Sequence, residues 1–167
     1  ALHIFKQWYF LEFALQCHVL LGICYNNSQK FAQALQSYEE AQRVIPFLPE
    51  KDYSYHLSII NNNIGNCYEN TNNYQLALHY YITSYENEKT GDNMVNTINV
   101  IRCYYKLGKL KDARYWLEIA QKNIQPNTSN KHLFQIKIFN VVLHDNNLPI
   151  EELKKLEEEC IKFFKTE

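Results

Sequence analysis

Glycine and proline are scarce in this 167-residue chain, four of each, and methionine occurs once. With so few breakers, and with no stretch that alternates with period two for long, helical spacing runs throughout. The chain also lacks an excess of positive charge, since 17 lysines and arginines face 18 acidic residues for a net charge of -1. A segment that grips DNA or RNA by itself neutralises phosphates with a basic patch, so nucleic acid is not expected as its partner. No apolar run reaches the roughly 20 residues of a bilayer span, and no signal peptide is visible. These absences leave a soluble all-α domain with no membrane partner. At 167 residues it is long enough for one domain with a real core. The chain opens mid-pattern on "ALHIFKQWYF" without Met, which reads as a cut inside a longer protein.

Catalytic constellations are missing too. The six histidines (His3, His18, His56, His79, His132, His144) are scattered, with no H-E-x-x-H. There is no glycine-rich phosphate loop and no G-x-S-x-G. Acidic pairs such as Glu39/Glu40 and Glu151/Glu152 fall on helix surfaces facing solvent. The expectation is a protein that is not an enzyme, with no catalytic residues, no metal and no cofactor.

The five cysteines (Cys17, Cys24, Cys67, Cys103, Cys160) are an odd, dispersed set without a C-x-x-C pair. Such usage suits a reducing cytosol, hence a cytoplasmic location, with cysteine acting as a small apolar residue. Asn26 and Asn127 begin N-x-S/T triplets that an asparagine-rich chain produces by chance. Three of the thiols precede a tyrosine, in "ICYNN", "NCYEN" and "RCYYK", and these pairs align three copies of one unit.

Nine residues beyond each tyrosine stands Ala34, Ala77 or Ala113, and seven further on Ala41, Ser84 or Ala120. Three before each tyrosine stand Gly22, Gly65 and, as the exception, Ile101. Phe31, Tyr74 and Leu110 share one station, and Tyr38, Tyr81 and Leu117 another. Small residues seven apart share a helix face and let a second helix approach to the short end of the 8–10 Å range. Ile101 in place of glycine predicts slightly wider packing in the third copy. Short polar turns, "NNSQK", "NTNN" and "LGK", separate the helices. Stacked units put equivalent cysteines roughly 10 Å apart, too far for a disulfide or a shared zinc ion. Core packing is therefore the expected role of Cys24, Cys67 and Cys103.

"LLGICYNNSQKFAQALQSYEEAQRVIP", with Leu21, Gly22, Tyr25, Ala34, Tyr38, Ala41 and Pro46, resembles the tetratricopeptide repeat. The resemblance implies an α-α superhelix of stacked antiparallel helix pairs, a single domain over 1–167. Its repeats are placed at about 9–46, 53–90 and 92–125, after a partial repeat at 1–8. A C-terminal helix pair at 131–166 has Ile150, Leu153, Leu156, Cys160 and Phe163 as the apolar stripe of its second helix. The interval from Tyr25 to Tyr68 is 43 residues and that from Tyr68 to Tyr104 is 36, so extra length is expected around "PFLPEKDYSYH".

First helices of such stacks line a concave groove. Helical spacing puts Gln16, Val19, Leu20, Ile23 and Asn26 on that face in the first copy. The second offers Ile59, Asn62, Asn63, Asn66 and Glu69, and the third Val95, Ile98, Asn99, Arg102 and Tyr105. Asparagine is a mediocre helix former, so the run "IINNNIGN" works against local stability. An amide side chain can pair with the peptide unit of an extended ligand, and arginine can take a carboxylate or carbonyl. The candidate peptide-binding set is Asn62, Asn63, Asn66, Glu69, Asn99 and Arg102.

The chaperone-binding tetratricopeptide clamp pairs lysines with asparagines, and here Asn62 and Val95 occupy the lysine stations. "LQCHVLLG" and "NNNIGNCYENTNNYQLALHYY" instead resemble the peptide-pheromone receptors of Gram-positive bacteria, the Rap phosphatases and PlcR- and NprR-type regulators, over most of 10–125. That resemblance implies a sensor domain that binds a short signalling peptide, with Asn63 and Asn99 at the peptide-anchoring stations. It also implies an N-terminal effector, either a helix-turn-helix or a helical bundle. The alternative is a constitutive protein-interaction scaffold, its last helix capping or forming a homodimer.

Overall fold

A computed structural model describes residues 2–88 and 93–144, together with 151, 154, 155, 158 and 159, and side chains from Gln7 onward. Among the described residues there are seven helices, packed as successive antiparallel pairs. They are α1 (Leu2–Asn27), α2 (Phe31–Val44), α3 (Glu50–Asn70), α4 (Tyr74–Asn87), α5 (Met94–Lys106), α6 (Leu110–Lys122) and α7 (Asn130–His144). The chain is all-α, in the stacked arrangement that its spacing predicts.

Each second helix buries one stripe. Ala34, Tyr38 and Ala41 are fully buried on α2, as are Ala77, Tyr81 and Ser84 on α4, and Ala113, Leu117 and Ala120 on α6. The glycine station follows from that stripe. A Cβ on Gly22 would lie 2.3 Å from Tyr38 Cε1, and one on Gly65 would lie 2.7 Å from the Tyr81 ring. In the third pair the large and small partners are exchanged. Leu117 replaces the tyrosine, and Ile101 fills the released volume with both side chains fully buried. Exchange of bulk thus accommodates Ile101.

The three hairpin turns share one device. Gln29 (φ 59°), Asn72 (φ 59°) and Gly108 (φ 71°) hold the left-handed conformation at equivalent stations. The amide after each donates back to the repeat tyrosine's carbonyl: Lys30 to Tyr25 at 2.8 Å, Asn73 to Tyr68 at 2.8 Å, Lys109 to Tyr104 at 2.9 Å. This is the Schellman closure, which satisfies helix-end carbonyls at one left-handed residue.

The longer first interval is taken up by a 3-10 turn at Ile45–Phe47, opened by Pro46, and by the 21 residues of α3. Residues 2–8 run into α1 without a break, no helix terminator standing among them. At the other end α7 lays Ile136 and Leu143 on the Ala113, Leu117 and Ala120 stripe, while Arg114 Nε donates to the Leu143 carbonyl at 2.8 Å. The stripe placed at Ile150, Leu153, Leu156, Cys160 and Phe163 lies outside the described residues. Glu159 forms an ion pair with Lys137 on α7.

Two sequence expectations are corrected, the first by packing and the second by hydropathy. Cys67 and Cys103 are buried, against α2 and α4 respectively, but Cys24 is exposed. Ile64 and Val100 pack beside Cys67 and Cys103, and their counterpart on α1, Leu21, is exposed beside Cys24. Among the described residues no helix lies over that side of α1. Second, Gln7–Asn27 contains an 18-residue window of mean hydropathy 1.2 and is, by length and composition alone, apolar enough to cross a membrane. The same helix supplies Leu15 and Val19 to the first core cluster.

Candidate ligand groove

The face expected to line a groove is carried by the first helices α1, α3 and α5. At its α3–α5 step, five of the six candidate residues meet in one hydrogen-bonded chain. Asn99 Nδ2 donates to Asn62 Oδ1 at 2.9 Å, and Arg102 Nη2 donates to Asn99 Oδ1 at 2.8 Å. Arg102 also forks onto Glu69, with Nε on one carboxylate oxygen and Nη2 on the other at 2.8 Å. Planar guanidinium and carboxylate match in this two-point geometry. Tyr81 adds its hydroxyl from below, 2.7 Å from both Glu69 Oε2 and Asn66 Oδ1. One hydroxyl carries one proton, so donation to Glu69 leaves the Asn66 amide to present its NH₂ to the tyrosine oxygen.

Burial and charge set the protonation of this chain. The Tyr81 hydroxyl is pushed well above the usual phenol range by burial and by the Glu69 carboxylate beside it. Burial works to lower the Arg102 pKa, and the Glu69 hydrogen bonds and charge more than offset it, so the guanidinium is held charged. Burial raises the Cys103 thiol to about 12, with Glu69 adding to the shift, and raises Cys67 to about 11.

Asn63 stands apart. Its Nδ2 donates to the Ile59 carbonyl on its own helix at 2.9 Å, a back-bond of the kind that competes with helix pairing. Ile98, placed on the groove face by spacing, is instead a core residue at 2% exposure, packed with Ile101 and Leu117. Val95 and Tyr105 remain exposed beside Asn99 and Arg102.

At the α1–α3 step the equivalent stations are apolar. Leu20 stands where Asn63 and Asn99 stand in the later repeats, and Ile23 where Asn66 and Arg102 do. This step opens into a cavity of about 280 Å³ lined by Glu12, Leu15, Gln16, Val19, Leu20, Tyr55, His56 and Ile59. His56 is buried, and its Nε2 lies 3.6 Å from Glu12 Oε1, beyond hydrogen-bond range. Below the step, Asn70 donates to Asn26 at 3.1 Å.

Spacing alone overlooks three of these participants. Tyr81 reads as a packing ring, although a buried phenol needs a partner and Asn66 and Glu69 stand one turn apart facing it. Glu12 and His56 lie one turn beyond the stretch of groove face that the repeat alignment covers. Among the described residues no group of three or more histidine, cysteine or acidic side chains is arranged to hold a metal ion.

No protein-family model matches the chain. It is distantly similar to the transcriptional activator NprA of Geobacillus stearothermophilus, with 26% identity over 116 residues, 68% of this chain. The match spans 28% of that protein's length, and that protein is by name a transcription regulator and not an enzyme.

Proposed function

We propose that the chain is the peptide-sensing part of a transcription regulator, taking a short extended peptide along the face of α1, α3 and α5. What supports this most is the gathering of amides from successive first helices, Asn62 on α3 and Asn99 on α5, beside an open apolar step. The likeness to a transcriptional activator agrees with it. A peptide unit offers one donor and one acceptor, the complement of a carboxamide. Asn62 and Asn99 bond each other across the α3–α5 step, so a peptide inserted there exchanges that bond for two of its own. The spacing of the repeats then becomes dependent on ligand, which is how binding would reach the rest of a longer regulator.

Titration of the chain with a pool of unblocked peptides of about five to seven residues tests this reading, with fluorescence anisotropy as the readout. Saturable binding that weakens about tenfold or more in Asn62→Ala/Asn99→Ala, with helicity intact, is expected from the loss of two buried polar contacts. Absence of any binding would overturn it.

A further inference from the structure

The α1–α3 cavity differs from the rest of the groove in charge as well as in polarity. Arg102 is committed to Glu69 and Asn99. Among the described residues lining the cavity, Glu12 is the single carboxylate and there is neither lysine nor arginine. Glu12 is only loosely held. Its Oε1 accepts from Gln16 at 3.4 Å and sits 3.6 Å from His56, while Oε2 accepts no hydrogen bond among the described residues. Around it Leu15, Val19, Leu20, Ile59 and the Tyr55 ring form an apolar wall. A half-exposed carboxylate over an apolar cavity complements a ligand with a cation next to a bulky apolar group.

We infer that this cavity takes the N-terminal end of the peptide: a free α-ammonium on Glu12, with a leucine, isoleucine or phenylalanine first side chain against Leu15, Val19, Leu20 and Ile59. The inference rests on the peptide-sensing reading and adds direction and specificity to it. A volume of about 280 Å³ suits one such side chain, at the small end of ligand pockets. First helices packed at roughly 10 Å are crossed by about three extended residues at ~3.3 Å each. Glu12 also lies two turns, ~10 Å, before the level of Asn62, so the backbone reaches Asn62 and Asn99 about four residues after the ammonium. The ammonium end is preferred over a carboxylate end because Glu12 would repel the latter.

The probe is a pool of heptapeptides with Leu, Ile or Phe at the first position and the others randomised, prepared unblocked and N-acetylated. Both are titrated against the chain and against Glu12→Gln, whose side chain is 38% exposed and so is tolerated by the fold. The expected result is a loss of about tenfold or more on acetylation, a similar loss in Glu12→Gln, and little further loss when the two are combined. Equal binding of the two pools, or acetylation sensitivity that persists undiminished in Glu12→Gln, overturns the cavity assignment and leaves the groove reading standing. No binding by either pool overturns both.

Discussion

Arg102 of α5 grips Glu69 of α3 through both carboxylate oxygens, tying the second repeat to the third. The pair is part-buried, at 30% and 16% side-chain exposure. Removing one member strands the other's charge in a half-dry site. Arg102→Ala is therefore expected to cost about 2–4 kcal/mol, below the full penalty of a wholly buried pair because water reaches this one. Glu69→Gln/Arg102→Gln should recover part of that loss. Urea unfolding of the two variants measures the difference, and a double variant no better than the single one would show that the charges are not coupled.

Tyr38 and Tyr81 occupy equivalent stations with opposite polar outcomes. The Tyr38 hydroxyl is buried without a partner among the described residues, whereas that of Tyr81 is held by Glu69 and Asn66. Tyr38→Phe should raise stability by about 1 kcal/mol by removing an unsatisfied group, and Tyr81→Phe should lower it by about 1–2 kcal/mol. Thermal melts of both proteins decide whether the signs are opposite.

Gly22 meets the Tyr38 ring so closely that a methyl cannot fit. Gly22→Ala should cost about 1–3 kcal/mol by overpacking. In a Tyr38→Leu background, which reproduces the bulk at Leu117, the penalty should largely vanish. A penalty of the same size in both backgrounds would locate the strain elsewhere.

Gln29 bears the left-handed conformation that Gly108 adopts at the equivalent turn. Gln29→Gly should stabilise the chain by up to about 1 kcal/mol, because a side chain there works against the backbone, and Gly108→Ala should destabilise it by about the same. Nothing lies within 4 Å of a Cβ at Gly108, so the second effect reports backbone strain alone.

Alkaline pH probes the buried thiols and phenol together. Cys67, Cys103 and Tyr81 all have folded pKa values raised by burial. Folded protein therefore holds these protons more tightly than unfolded protein does. Their contribution is complete below the ordinary cysteine value of 9.0 and is lost as pH climbs through about 11 and about 12. The urea midpoint should fall steadily above pH 9, while alkylation at neutral pH labels exposed Cys24 and spares Cys67 and Cys103. A flat midpoint to pH 11 would contradict the burial.

Periodicity in the sequence by itself determined the helical class, the three hairpins and the small-residue stripes. A helix face repeats on a fixed angular step, so Ala34 and Ala41 or Ala77 and Ser84 declare their contacts locally. The asparagine stations on α3 and α5 were legible for the same reason. What tertiary structure decided is which neighbour each side chain meets. Cys24 has the sequence context of Cys67, yet it is exposed because burial depends on a helix from another repeat. Asn63 resembles Asn99 in the alignment, but one bonds its own helix and the other reaches Asn62 across the step. The pairing of Glu69 with Arg102, 33 residues apart, and the cavity over Glu12 arise where separate helices stack, at distances that no spacing within one helix encodes.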